Sequence, residues 1–208
     1  MCIRDRSWDG VSDPIGDLAD TVHVKSDQAE FRDYFRKWFV GILPALLDDT
    51  VVNHEILVLI GEQGLYKTTW FNFLLPPELR CYFYTKTNSD RLNKDDLFSL
   101  TEFALICFEE LDGMRPAELN QLKALITNDS ILERRPYARN AETFVRRASF
   151  AATVNDSQIL TDRTGSRRFL CFETLRIDYT SGIDHTAIYA QALALYKQGF
   201  RYWFADQA

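Results

Sequence analysis

No apolar run in these 208 residues approaches the roughly 20 needed to cross a bilayer, and no signal-peptide pattern is visible. Cysteine is sparse and scattered, at Cys2, Cys81, Cys107 and Cys171. Three of the four fall in apolar, strand-like runs. That spacing excludes a disulfide framework and a zinc site, and predicts buried, reduced thiols in a cytoplasmic protein. There is no internal repeat and no low-complexity tract. A net charge of −6 excludes a generally basic nucleic-acid coat. What is present is 46% hydrophobic residues with 15 Phe, enough for one folded domain with a substantial core.

The charge is unevenly spread. Between Arg134 and Arg168 lie eight arginines (134, 135, 139, 146, 147, 163, 167 and 168) against Glu142, Asp156 and Asp162, a balance of +5 in a chain of −6. A basic island in an acidic protein fits a local anionic partner: nucleotide, nucleic acid or the acidic face of a neighbouring subunit. A solvated surface laced with ion pairs is the other reading.

The most informative stretch is His54 to Leu75. An apolar run over Ile56–Ile60 stops at Gly61, passes Glu62, Gln63, Gly64, Leu65 and Tyr66, and reaches Lys67, Thr68 and Thr69 before an amphipathic segment. Strand, glycine loop and helix in that order is the setting of a phosphate-binding loop. Its backbone N–H groups cradle a polyphosphate. Lys67 would reach the β- and γ-phosphates and the Thr68 hydroxyl would sit on Mg²⁺. The pattern G-x-x-x-x-G-K-[ST] wants glycine where this chain has Tyr66, and an ordinary strand-to-helix turn is the competing reading.

A second apolar run, Ala104–Phe108, ends in Glu109 and Glu110. Glu109 would contact Mg²⁺ directly or through water, and Glu110 would orient the attacking water. Both acids belong at the C-terminal end of a strand, where they meet phosphates held by the loop. A buried strand running into an acidic turn is the plainer alternative. A small-residue strand, Ala148–Val154, ends at Asn155, which could hydrogen-bond the γ-phosphate or the water, although Asn is also a common turn residue. Downstream, Gly165 precedes Arg167, Arg168 and a further strand at Phe169–Phe172. Planar guanidinium suits the charge that develops in phosphoryl transfer.

Elsewhere, residues 8–24 read as loop or linker. Asp27 onward reads as a helix with an aromatic stripe, capped by Asp27 or Ser26 and kinked or broken at Pro44. Cys81–Thr85 reads as a strand, Asp95–Leu100 and Arg115–Thr127 as helices, and 131–149 as a hairpin or long loop carrying arginines. Asp184–Tyr202 reads as a terminal helix. The opening Met1–Ser7 resembles a translated adapter scar and is set aside, with truncation expected at both ends. The expected division is 1–24 scar and linker, 25–50 N-terminal helical segment, and 51–208 nucleotide-binding domain.

The ordered set GEQGLYKTT, ALICFEELD, ERRPYARN, AATVN and DRTGSRRF resembles the virulence-associated protein E family of mobile-element and phage ATPases, related to superfamily-three helicases and the helicase half of primase-helicases. The resemblance covers Val51–Phe172. It implies an α/β P-loop NTPase fold of the AAA+ type, with a central parallel sheet flanked by helices and assembly into rings. It also implies ATP and Mg²⁺ as cofactors, single-stranded DNA as partner, a primase domain or partner, and a bacterial or phage-infected cell. On this chain it gives Lys67 and Thr68 the phosphate and Mg²⁺ roles, makes Glu109 and Glu110 the acidic motif, and puts Asn155 at the sensor position. Arg167 or Arg168 becomes a finger for the neighbouring protomer's nucleotide, and Arg134, Arg135, Arg139, Arg146 and Arg147 lie near a DNA channel. The function expected is that of a helicase-like ATPase motor in replication of mobile-element or phage DNA. The alternative is a nucleotide-dependent binding or scaffold module with little turnover; a small-molecule kinase fits less well.

Overall fold

The computed structural model describes residues 7–87, 94–135, 137–155, 168–180 and 182–204. Along the chain the elements are α1 (Pro14–Ala19), β1 (Val22–Val24), α2 (Gln28–Leu47), β2 (Ile56–Ile60) and α3 (Lys67–Phe73). A 3₁₀ turn over Pro77–Tyr82 leads to β3 (Phe83–Thr87), α4 (Lys94–Glu102) and β4 (Leu105–Glu109). Then come α5 (Pro116–Thr127), the strands β5 (Ser130–Glu133), β6 (Glu142–Val145), β7 (Ser149–Val154) and β8 (Phe169–Ile177), and α6 (His185–Lys197).

Six strands form one sheet in the order β1-β8-β2-β7-β4-β3, parallel throughout except for β1, which runs antiparallel on β8. The central strand β2 is buried at all five positions. Strands covered on both faces read as continuous apolar runs rather than alternating ones, and ILVLI is such a run. Its side chains divide between two cores because successive residues point to opposite faces. Leu57 and Leu59 join the core under α1, α2, α3 and α6. Ile56, Val58 and Ile60 join the core under α4 and α5. The fold is therefore mixed α/β, with a central, mostly parallel sheet flanked by helices. β5 and β6 form a separate antiparallel hairpin.

Three sequence expectations change. Residues 8–24 are not all linker: Asp13 caps α1, and β1 extends the sheet on β8. A three-residue strand is too short to show period-two alternation, so the pattern was invisible. The helix expected to kink or break at Pro44 is not broken there and continues to Leu47. Proline removes one N–H bond, and the buried aromatic stripe Phe31, Phe35, Trp38 and Phe39 outweighs that loss. Of the cysteines expected in the core, Cys107 is buried but Cys81 and Cys171 are exposed, and these three are free thiols. Cys2, Arg163 and Arg167 lie outside the described residues. Among the described residues, no helix is long and apolar enough to cross a membrane.

α2 is fastened to the sheet by a directional bond as well as by area: the buried Trp38 indole N–H donates to the Phe150 carbonyl of β7 at 2.9 Å. A Trp38→Phe variant keeps most of the apolar contact and loses this bond, so urea denaturation should show a loss of about 1–3 kcal/mol with an unchanged m-value.

Candidate functional site

Parallel strands release the chain at the same edge, so the loops after β2, β4 and β7 gather there. β7 lies between β2 and β4, which puts Asn155 between the glycine loop and the acidic strand. These segments line a cleft of about 360 Å³ formed by residues 63–69 with Glu109, Glu110, Thr153 and Asn155.

The loop approaches its neighbours closely. A Cβ on Gly61 would lie 2.7 Å from the Thr174 carbonyl oxygen and 2.8 Å from Leu65, so only glycine fits between β2 and β8 at that point. Gly64 takes φ +91°, a conformation that glycine adopts without strain. Tyr66, where the motif has its second glycine, is left-handed at φ 60° and ψ 27°. The position demands a glycine-like backbone, and tyrosine meets that demand at a cost of about 1–2 kcal/mol. Its ring stacks on Tyr179 with centroids 4.0 Å apart.

Lys67 begins α3 and is buried. Its Nζ donates to the carbonyls of Gly61 at 2.5 Å and Glu62 at 2.9 Å, so the ammonium is held by the loop itself. Desolvation pushes its pKa below the usual lysine value, and the Asp112 carboxylate opposes that shift. The Thr68 hydroxyl donates to Glu109 Oε1 at 2.7 Å. This bond joins two segments 41 residues apart in sequence. Among the described residues no group of three His, Cys, Asp or Glu side chains could hold a metal ion. The Thr68 hydroxyl beside the Glu109 carboxylate is a pair of hard-oxygen donors, fewer than the roughly six oxygens that a divalent cation such as Mg²⁺ takes. Glu110 is exposed and left-handed at φ 52°, and it opens a 3₁₀ turn over Leu111–Gly113.

The predicted residues thus divide. Gln63 to Thr69, Glu109, Glu110 and Asn155 converge on the cleft, and Gly61 and Glu62 contribute through their carbonyls. Arg168 does not join them. It precedes β8, its carbonyl accepts from Ile56 N–H, and its guanidinium bonds the Thr127 hydroxyl, all at the opposite edge of the sheet. Thr153, Asp112 and Tyr179 were not anticipated. Thr153 carried a signal, a polar residue in an apolar strand; nothing local marks Tyr179.

The arginine group also separates. Arg134, Arg135 and Arg139 are exposed on the β5–β6 connection. There Tyr137 is fully exposed, and the Arg135 guanidinium lies 4.9 Å from the Phe144 ring centre. Arg147 pairs with Asp49. Arg146, expected near DNA, is instead 1% exposed. Its guanidinium donates to the carbonyls of Asn128, Ala148, Asn53 and Ile126. Burial pushes its pKa down to about 10. Five fixed donors suit this cage of carbonyls, so the residue is a structural tie.

A family model described as the virulence-associated protein E-like domain matches residues 3–208. Three solved structures of the NrS-1 C terminal region are similar in fold. An A form apo structure aligns at TM-score 0.61 and 16% identity, over 98% of this chain and 47% of that one. An A form apo structure of residues 305–718 gives 0.56 and 15%, over 100% and 48%. An apo structure of the same region gives 0.61 and 17%, over 98% and 48%. This chain therefore spans about half the length of those structures. No curated protein matches it.

Removing the Arg146 side chain leaves several buried carbonyls without a donor. Arg146→Ala should cost about 3 kcal/mol or more in urea denaturation, and Arg146→Lys should recover little of it because an ammonium lacks the planar fork. Arg139→Ala, on the exposed turn, should stay within about 0.5 kcal/mol of the parent.

Proposed function

Since this chain belongs to the virulence-associated protein E-like family, we propose that it is a P-loop protein of the AAA+ type that binds and hydrolyses ATP at the cleft above β2, β7 and β4, in the replication of mobile-element or phage DNA. The observation that carries this reading is the 2.7 Å hydrogen bond from Thr68 to Glu109. A helix-start hydroxyl and a strand-end carboxylate have no packing reason to meet at an open cleft. As the oxygen pair that shares a divalent cation, they do.

Each side chain then has a task. Loop N–H groups from Gly64 onward receive the β-phosphate. The Lys67 ammonium exchanges the Gly61 and Glu62 carbonyls for phosphate oxygens, which restores two charge-assisted bonds for the two it gives up. Thr68 and Glu109 hold Mg²⁺, whose charge offsets that of the phosphates. Glu110 orients and polarises the attacking water. Asn155, at the tip of β7, reaches the same water or the γ-phosphate. Arg168 sits too far round the sheet to serve its own cleft, so it or Arg167 acts on a neighbouring protomer's nucleotide in a ring. Arg134, Arg135 and Arg139, with Tyr137 at the tip, offer single-stranded DNA both charge and a stacking face.

A second reading is favoured by Tyr66 and by the lysine's self-contained bonds. Here the loop binds nucleotide as an assembly switch and turns over little. Turnover assays with and without single-stranded DNA separate the two. The motor reading expects DNA-stimulated ATP hydrolysis that falls about a hundredfold or more in Lys67→Ala and Glu110→Gln. Tight binding with negligible turnover selects the switch. Hydrolysis indifferent to both substitutions overturns the site.

A further inference from the structure

The cleft has two flanks, and they differ in chemistry. In the order β8-β2-β7-β4, the Thr68–Glu109 pair lies toward β4, while Tyr66 turns toward β8, where its ring meets Tyr179 just beyond that strand. If the carboxylate flank takes the γ-phosphate end, a nucleotide's base must leave by the other flank, past the tyrosines. The two rings stack at 26° between planes. Tyr179 is packed against the hydrophobic core, so it is the fixed partner. Tyr66 is 52% exposed and lines the cleft, so the face not against Tyr179 is open.

We propose that Tyr66, backed by Tyr179, is the base platform of this cleft: the nucleobase stacks on the open face of Tyr66 as the third ring of the series. The inference rests on the phosphate reading of the cleft. It also accounts for a tyrosine at a left-handed position, since such strain persists where the surroundings over-determine it and clusters at ligand clamps. Stacking accepts any base, because each presents a π-face. The residue that departs from the glycine motif therefore adds a contact rather than removing one.

Calorimetric titration of the intact protein with Mg·ATP and with Mg·tripolyphosphate tests this, because only the first ligand carries a base. The informative quantity is the ratio of the two affinities. Tyr66→Gly should lower the ATP-to-tripolyphosphate ratio at least tenfold, Tyr179→Ala should lower it by less, and Tyr66→Phe should keep it within twofold of the parent. A ratio that stays within twofold in both Tyr66→Gly and Tyr179→Ala overturns the platform while leaving the phosphate site intact. A parent protein that binds neither ligand overturns the phosphate reading, and the platform falls with it. The tripolyphosphate arm also reports folding: a variant that binds it has kept the loop.

Discussion

The constraint on which the molecule depends is the common direction of β8, β2, β7 and β4. Parallel pairing of β2 with both β7 and β8 fixes their ends in register, with Ile60 level with Val154 on one side and Glu173 on the other. Once those ladders form, every polar loop leaving the sheet in that direction reaches one edge. Two buried cores, one on each face, hold the strands flat against rearrangement. The cleft is thus a consequence of strand direction, and the side chains that line it are recruited from segments remote in sequence.

At that edge the backbone departs from comfortable geometry twice. Tyr66 and Glu110 both adopt left-handed conformations. Each follows directly on a buried strand or precedes a helical turn, so the flanking structure fixes the torsions and the residue must comply. Strain of this kind is common where function sets side-chain direction. Here one strained residue sits on the flank toward β8 and the other at the acidic flank. Between them Lys67 is held by the carbonyls of its own loop. The loop is therefore internally satisfied, with its buried ammonium bonded to its own carbonyls.

Much of the fold was legible because doubly covered strands announce themselves as unbroken apolar runs: ILVLI, ALICF and ASFAATV lie within or across β2, β4 and β7. The order of loop, acids and Asn155 along the chain was also readable, because each follows such a run directly. What was hidden depended on contacts between distant residues. Arginine is almost never fully buried unless paired, so nothing in the local sequence separated Arg146 from Arg134. Its cage is made of main-chain carbonyls, which no side-chain pattern reports. Tyr179 meets Tyr66 only because β8 lies beside β2, a neighbour relation that sequence order does not give. Residues 14–24 failed for the opposite reason: elements of six and three residues carry too few positions for a period to emerge.

The cage around Arg146 has a mechanical consequence. The arginine sits at the foot of the basic hairpin, directly after β6 and shortly before β7, and is riveted to the segment preceding β2 and to the end of α5. From there β7 runs as a straight strut of six residues, about 20 Å, to Thr153 and Asn155 at the other edge. Hairpin and cleft are thus the two ends of a single stiff rod clamped at its base.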